Sequence, residues 1–249
     1  MNNLEGVYWD LDGTIANTEL EAHLPAFNKT FNDFGINWFW DDSTYIDLLK
    51  VNGGRNRIAY FSSISDLKLS DELINKIHKK KQLNYLNLIE DNVVTFKNGV
   101  QRLISDLVSR NVRQFIVTSS SKIQVQTLIR KLFGKTNPFE FFITSDDVNV
   151  LKPDPCPYLE AVNLSGIRKY NSVVFEDSNA GVISSTTAKL PTICIKSNIP
   201  NIFNSNLKLN CLVDNIGDEE THTNVLIGPK TINKYIDYDY LVNYLKLFK

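Results

Sequence analysis

Cysteine is scarce in this chain and never patterned: three in 249 residues, at Cys156, Cys194 and Cys211. The odd number and the lack of any Cys-x-x-Cys spacing disfavour a disulfide framework and a zinc site, so a reducing compartment is expected. No apolar run approaches the ~20 residues that a membrane-spanning helix needs. The N-terminus carries Glu5, Asp10 and Asp12 where a signal peptide would carry a basic region and an apolar stretch. A cytoplasmic location without a membrane partner is the expectation, and the Asn-x-Ser/Thr patterns at Asn28 and Asn163 then carry no meaning. Net charge is nearly absent at -1, which argues against nucleic acid as a partner. Neither Gly-x-x-x-x-Gly-Lys-Ser/Thr nor Gly-x-Gly-x-x-Gly occurs, so nucleotide binding of those kinds lacks support.

What is present is a series of short, mostly apolar runs rich in β-formers, at 6–10, 112–119, 139–145, 172–177 and 192–196. They do not alternate, as expected of strands covered on both faces. Helix-like segments lie between them at 99–110, 121–134, 158–166 and 180–189. Strand and helix in repeated succession predict an α/β fold with a doubly wound parallel sheet, which binds ligands outside the carboxyl ends of its strands. From 17 to 91 the pattern is helical, with Leu24, Phe27, Phe31 and Phe34, then Leu73, Ile77, Tyr85 and Ile89, at helical spacings. The chain therefore reads as a discontinuous core, 1–16 and 92–249, with an inserted α-helical cap, 17–91. The run His78 to Lys81 reads as the solvated face of a cap helix. In the tail, the stretch 210–220 reads as a last edge strand and turn, and 235–249 as a terminal helix.

Asp10 and Asp12 stand two apart where the first strand ends. Two carboxylates held close raise one another's pKa unless cations or hydrogen-bond donors offset the repulsion. At or just past later strand ends come Ser119 to Ser121, Lys152, and the adjacent acids Glu176 and Asp177. Several hard oxygen donors brought to one sheet edge suit magnesium, which a substrate phosphate commonly completes. A calcium loop fails, because no third acid or amide follows Asp12 at the required step. Asp12-Gly13 alone is an ordinary turn signal; the ordered conjunction is what carries the chemistry.

The motifs Asp10-Leu-Asp-Gly-Thr14, a Ser/Thr at the end of the second core strand, Leu151-Lys-Pro-Asp-Pro155 and Phe175-Glu-Asp-Ser-Asn-Ala-Gly181 resemble the four ordered motifs of haloacid dehalogenase-type phosphohydrolases. The resemblance implies a Rossmann-like core and a nucleophile, Asp10, that forms an aspartyl phosphate. It also implies that Asp12 protonates the leaving oxygen and then activates water, and that magnesium is bound by Asp10, the Asp12 carbonyl, Glu176 and Asp177. Lys152 would neutralise the phosphoryl oxygens. Either Thr118 or Ser119 could hydrogen-bond the phosphoryl group. The Ser-Lys of sugar-phosphate mutases, set against Ser121-Lys122, favours Ser119 with the Ser120 amide beside it. Residues 118–121 could equally cap the next helix.

A helical insertion at this point is similar to caps of the β-phosphoglucomutase-like branch. His23 with Ala26-Phe27-Asn28, Trp38-x-Trp40-Asp41, Tyr45, Leu48-Leu49 and Gly53-Gly54-x-x-Arg57-Ile58 look like the CbbY-like subgroup, whose members act as xylulose-1,5-bisphosphate phosphatases. The implied role is removal of an inhibitor of the carbon-fixing carboxylase in an autotrophic host. A second phosphate would need cations, and Gly54 amides with Arg55 and Arg57 could supply them; a turn with two solvated arginines is the bland alternative. Arg55 stands where the subgroup has lysine. Glu19 and His23, one turn apart, could both meet substrate, or His23 could be half-buried structure. An extra residue between them, relative to some members, could rotate that face. The expectation is thus a magnesium-dependent phosphatase of a small sugar bisphosphate, acting as a monomer, although the sequence leaves the oligomeric state open. A phosphomutase is the enzymatic alternative, and a catalytically silent binding module the non-enzymatic one.

Overall fold

The computed structural model describes residues 4–51, 53–91, 94–196 and 209–248. In chain order the elements are β1 (Gly6–Trp9), α1 (Leu24–Asp33), α2 (Asp42–Leu48), α3 (Gly54–Ile64), α4 (Asp71–Glu90) and α5 (Val100–Ser109). There follow β2 (Arg113–Val117), α6 (Lys122–Phe133), β3 (Phe141–Ile143), α7 (Cys156–Ser165), β4 (Ser172–Glu176), α8 (Asn179–Thr187) and β5 (Thr192–Ile195). The chain closes with β6 (Leu212–Val213), β7 (Val225–Ile227) and α9 (Tyr238–Leu245). The chain forms two compact units, one of Met1–Asn17 with Thr95–Lys249 and the other of Thr18–Val94. Residues 92 and 93, where the sequence reading returns to the core, lie outside the described residues.

The first unit is built on a sheet of order β3-β2-β1-β4-β5-β6-β7. β1, β4 and β5 are buried along their whole length, which explains runs without alternation: side chains on both faces meet helices. On one face Tyr8, Phe115, Val174, Tyr158 and Leu190 share a cluster, and Trp9 stacks on Phe175 with ring centroids 4.4 Å apart. The Trp9 indole N–H is satisfied by Gln114 Oε1 at 3.1 Å. β1 pairs in parallel with both β2 and β4, so successive connections leave β1 in opposite directions, the arrangement that opens a crevice at the strands' carboxyl ends. The tail departs from expectation. The strand within 210–220, β6, is not the edge; β7 pairs with it antiparallel and takes that place. α9 packs back on the sheet, with the Tyr244 hydroxyl donating to the Thr192 carbonyl at 2.6 Å.

The second unit is helical. Its core gathers Leu24, Phe27, Phe31, Trp40, Tyr45, Leu48, Ile58, Ile74 and Ile77. Asn28 clamps the Trp40 backbone from both sides, donating to its carbonyl at 2.7 Å and accepting from its amide at 2.8 Å. Of the three consecutive aromatics, Trp38 and Trp40 join the cluster while Phe39 is exposed. Phe34 leaves the apolar stripe, because α1 has ended there and the side chain faces solvent. Glu19–His23 form a π-helical turn, closed by the Leu24 amide on the Glu19 carbonyl. Such i→i+5 turns take up one extra residue, and the extra residue that the resemblance implies between Glu19 and His23 would fall within this one. The His78–Lys81 run is not one solvated face: Lys81 is only 4% exposed. Its position on α4 falls on the same side as Ile74, Ile77 and Tyr85, and helix geometry overrides the charge pattern. No described helix is long and apolar enough to cross a membrane.

Candidate active site

Asp10 continues β1, its amide bonded to the Phe175 carbonyl at 3.0 Å. The β1–β4 register, which pairs Trp9 with Phe175, sets Asp10 level with Glu176 one step on. The chain then folds tightly: the Ile15 amide reaches the Leu11 carbonyl at 2.9 Å and the Gly13 amide reaches the Ala16 carbonyl at 2.8 Å. Gly13 has φ +82°, and a Cβ there would overlap the Asp177 carboxylate. A Cβ on Gly181 would likewise strike the Glu176 carboxylate. Two glycines thus make room for two acids, one by backbone conformation and both by space. Asp10, Glu176 and Asp177 are all buried, with one carboxylate oxygen of each within 4.8 Å of the others.

Lys152, 8% exposed, enters from the loop before α7. Its ammonium donates to Asp10 Oδ1 at 2.8 Å, Glu176 Oε1 at 2.6 Å and the Val117 carbonyl at 2.7 Å. Those acceptors use its three donors. Burial alone would lower the lysine's pKa, but the charges of Asp10 and Glu176 outweigh it and hold the pKa above the ordinary lysine value. For Asp10, burial dominates and pushes the pKa up to about 7; Lys152 opposes this, and Glu176 and Asp12 add to it. Burial thus disfavours the Asp10 charge more than Lys152 offsets it.

Asp12 is half-buried, and its Oδ2 accepts from the Ser120 hydroxyl at 2.5 Å. The Ser120 amide, expected to lie beside the phosphoryl group, donates to Thr118 Oγ1 at 3.1 Å in this structure. Thr118 is buried, whereas Ser119 is exposed. Ser121 serves as the N-cap of α6, with Gln124 reaching back to its amide at 3.0 Å.

Within the helical unit, Glu19 Oε2 accepts from the Tyr45 hydroxyl at 2.5 Å. Arg57 reaches the same hydroxyl at 3.3 Å and lies 3.9 Å from Glu19. Arg57 is further anchored on the Val51 carbonyl at 3.0 Å. Arg55 goes elsewhere, to Asn75 Oδ1 at 2.7 Å and Asp71 at 3.0 Å on α4; in a helix the two arginines, two residues apart, point to different sides. Gly54 begins α3 behind Gly53, whose φ is +86°. His23 is buried, stacked on Tyr85 with centroids 4.3 Å apart, and its Nδ1 meets Lys81 Nζ at 2.6 Å.

Two residues at these clusters were not singled out from the sequence. Tyr158 is fully buried and donates to Glu176 Oε1 at 2.6 Å. Its signal was a hydroxyl on an otherwise apolar helix face following Lys152. Lys81 was hidden inside a charge run.

The haloacid dehalogenase-like hydrolase family matches residues 7–195. Protein CbbY of Rhodobacter capsulatus is 34% identical over 196 residues, 78% of this chain and 86% of the relative. The structure of a CbbY mutant from Rhodobacter sphaeroides in complex with xylulose-(1,5)bisphosphate superposes with a TM-score of 0.76 at 28% identity, covering 85% of this chain and 94% of that one. CbbY from the same organism in complex with phosphate gives the same score at 29% identity and the same coverage. β-Phosphoglucomutase from Clostridium difficile, at TM-score 0.68 and 20% identity over 98% of each chain, shares the fold. The chain belongs to the haloacid dehalogenase-like hydrolases, and within them to the CbbY-like group. It is an enzyme, a phosphatase.

Proposed function

We propose that the chain is a magnesium-dependent phosphatase that hydrolyses xylulose 1,5-bisphosphate to xylulose 5-phosphate through an aspartyl phosphate on Asp10. The observation that carries the reading is the buried group Asp10, Glu176 and Asp177, with Lys152 bridging the first two and Asp12 two residues on. The donor set fits magnesium: hard carboxylate oxygens, a cradle kept open by Gly13 and Gly181, and an Asp10 charge that burial leaves undercompensated. Asp10, Glu176, Asp177 and the Asp12 carbonyl would hold the ion, which when bound neutralises charge on the phosphoryl oxygens and keeps Asp10 ionised.

Lys152 fixes the Asp10 carboxylate by one oxygen, and Asp10 attacks phosphorus while the bond to the sugar oxygen breaks. Asp12 gives its proton to that oxygen. It then takes a proton from the water that displaces Asp10, releasing inorganic phosphate. Ser119 rather than Thr118 would bind a phosphoryl oxygen; its exposure beside the buried, engaged Thr118 supports this. The substrate rests on the CbbY likeness and on cap residues Glu19, His23, Gly54, Arg55 and Arg57, of which Glu19 and Arg57 share the Tyr45 hydroxyl. In this reading Arg57 and the α3 amides take the distal phosphate, and Arg55 acts through its field. The setting is cytosolic clearance of an inhibitor of carbon fixation, by a core of 1–16 and 92–249 with a cap of 17–91.

The test is magnesium-dependent phosphate release from a panel of sugar mono- and bisphosphates by wild type, Asp10→Asn and Arg57→Ala. Selective hydrolysis of xylulose 1,5-bisphosphate is expected, abolished by the first change and weakened chiefly in KM, by about 10-fold or more, by the second. Equal turnover of many monophosphates, indifferent to Arg57, would sink the substrate assignment. A requirement for a sugar bisphosphate activator would point to a mutase.

A further inference from the structure

We propose that the Ser120 hydroxyl is a positioning group for the acid–base carboxylate: it holds Asp12 Oδ2 so that the other carboxylate oxygen trades the proton in both halves of the reaction. The inference rests on the reading of Asp12 above. Its observation is independent of that reading: a 2.5 Å contact from Ser120 Oγ to Asp12 Oδ2 across 108 residues of chain.

The backbone at Ser120 is pinned on both sides. Its amide donates to Thr118 Oγ1 at 3.1 Å, and its carbonyl accepts from the Ser145 amide at 3.0 Å. Thr118 is itself bound into the sheet, its amide on the Ile143 carbonyl at 2.9 Å, and the next residue, Ser121, caps α6. The hydroxyl is thus carried by a segment tied to the ends of β2 and β3 and to the start of α6, a rigid mount for a short side chain.

A neutral donor suits this place better than an ammonium, whose charge would hold Asp12 as the carboxylate. Asp12 must be a carboxylic acid when the sugar oxygen departs and a carboxylate when water is activated. With the traded proton on the other oxygen, Oδ2 is a carboxylate oxygen in one state and the acid's carbonyl oxygen in the other, and the serine O–H donates to it in both, so one group holds both protonation states. In the first half Asp10 bonds to phosphorus, the phosphorus–oxygen bond to the sugar breaks, and the proton of Asp12 goes to the leaving oxygen. In the second, water gives a proton to Asp12 while its oxygen bonds to phosphorus and the Asp10–phosphorus bond breaks.

The experiment compares wild type, Ser120→Ala and Ser120→Thr on xylulose 1,5-bisphosphate and on p-nitrophenyl phosphate, whose leaving group departs without a proton. Wild-type turnover reports on the phosphatase reading itself, and the variants report on Ser120. Ser120→Ala is expected to lose about 10- to 100-fold in kcat on the sugar phosphate, with KM within about 2-fold. On p-nitrophenyl phosphate it should show a burst of one equivalent of p-nitrophenolate followed by slow turnover, because only the second half needs Asp12. Ser120→Thr should restore kcat to within about 3-fold, and Ser120→Ala placed on Asp12→Asn should cost nothing further. Equal slowing on both substrates without a burst, or additive losses in the double variant, would overturn the proposal and leave the hydroxyl a structural contact.

Discussion

Tyr158 donates to Glu176 Oε1, the oxygen that also takes the Lys152 ammonium. With Glu176 fully buried, the phenol is part of what makes that charge tolerable there. Burial, reinforced by the nearby acids, holds the tyrosine's own pKa well above its usual value, so it remains a donor throughout the working range. Tyr158→Phe should cost about 1.5–3 kcal/mol, the range for a hydrogen bond to a charged partner. The check is a shifted denaturant midpoint with an unchanged slope; an unshifted midpoint would mean that the remaining donors, Lys152 and Ser178, satisfy the acid. The asymmetry between what the sequence showed and what it hid begins at this scale. Asp10, Asp12, Lys152, Glu176 and Asp177 stood out because a charge ending an apolar run is an anomaly that demands a partner. Tyr158 carried no such mark, since an aromatic on a half-apolar helix is ordinary core.

At the scale of elements, α4 shows why helical charge runs mislead. His78, Lys79, Lys80 and Lys81 are contiguous in sequence, but 100° of rotation per residue sends Lys81 inward, its ammonium 4.6 Å from the centre of the Phe27 ring and 5.1 Å from that of Tyr85. If stem packing dominates, Lys81→Ala costs about 2–4 kcal/mol and Lys81→Met recovers most of it, since methionine refills the volume. Thermal melts of the two variants decide; equal losses would assign the stability to the ammonium and its histidine instead. His78 lies one turn below, against Gly54. Burial first, then the charges of Lys81 and Arg55, lower its pKa to about 4. The unfolded chain binds a proton near pH 6.5 that the folded chain refuses until about 4. Stability from this group is therefore intact above 6.5 and drains away as pH falls through that window. Discounted for partial exposure, the loss is about 1–2 kcal/mol, and His78→Gln should flatten the pH dependence of the melting temperature between 6.5 and 4. An unchanged slope would mean that other groups set the acid limb. Sequence periodicity located α1 and α4 but not the π-helical turn before α1, because periodicity alone does not distinguish one extra residue in a helix from none; only the family resemblance pointed to one there.

Across the whole chain, the doubly buried strands were legible because their sequence cannot be solvated on either face, while the antiparallel β7 was not, being short and half-exposed. The sheet brings Asp10, Glu176 and Asp177 together at one edge, and the burial of Asp10 there makes the metal-free protein's stability depend on pH. The Asp10 pKa rises from 3.8 to about 7, mainly by burial. Between those values the folded chain holds a proton that the unfolded chain has released, so acidification through this window favours folding, and above pH 7 the folded state bears the buried charge. Measured in chelator against Asp10→Asn, wild-type stability should fall as pH rises from about 4 to about 7 and then level, by a few kcal/mol at most. Millimolar magnesium should raise the wild-type melting temperature at pH 8, where Asp10 is ionised, and lose most of that effect at pH 5, where a proton occupies the same carboxylate. Asp177→Asn should respond weakly at both. A magnesium shift independent of pH, or one that survives both Asp10→Asn and Asp177→Asn, would place the cation elsewhere and detach the electrostatics of this sheet edge from metal binding.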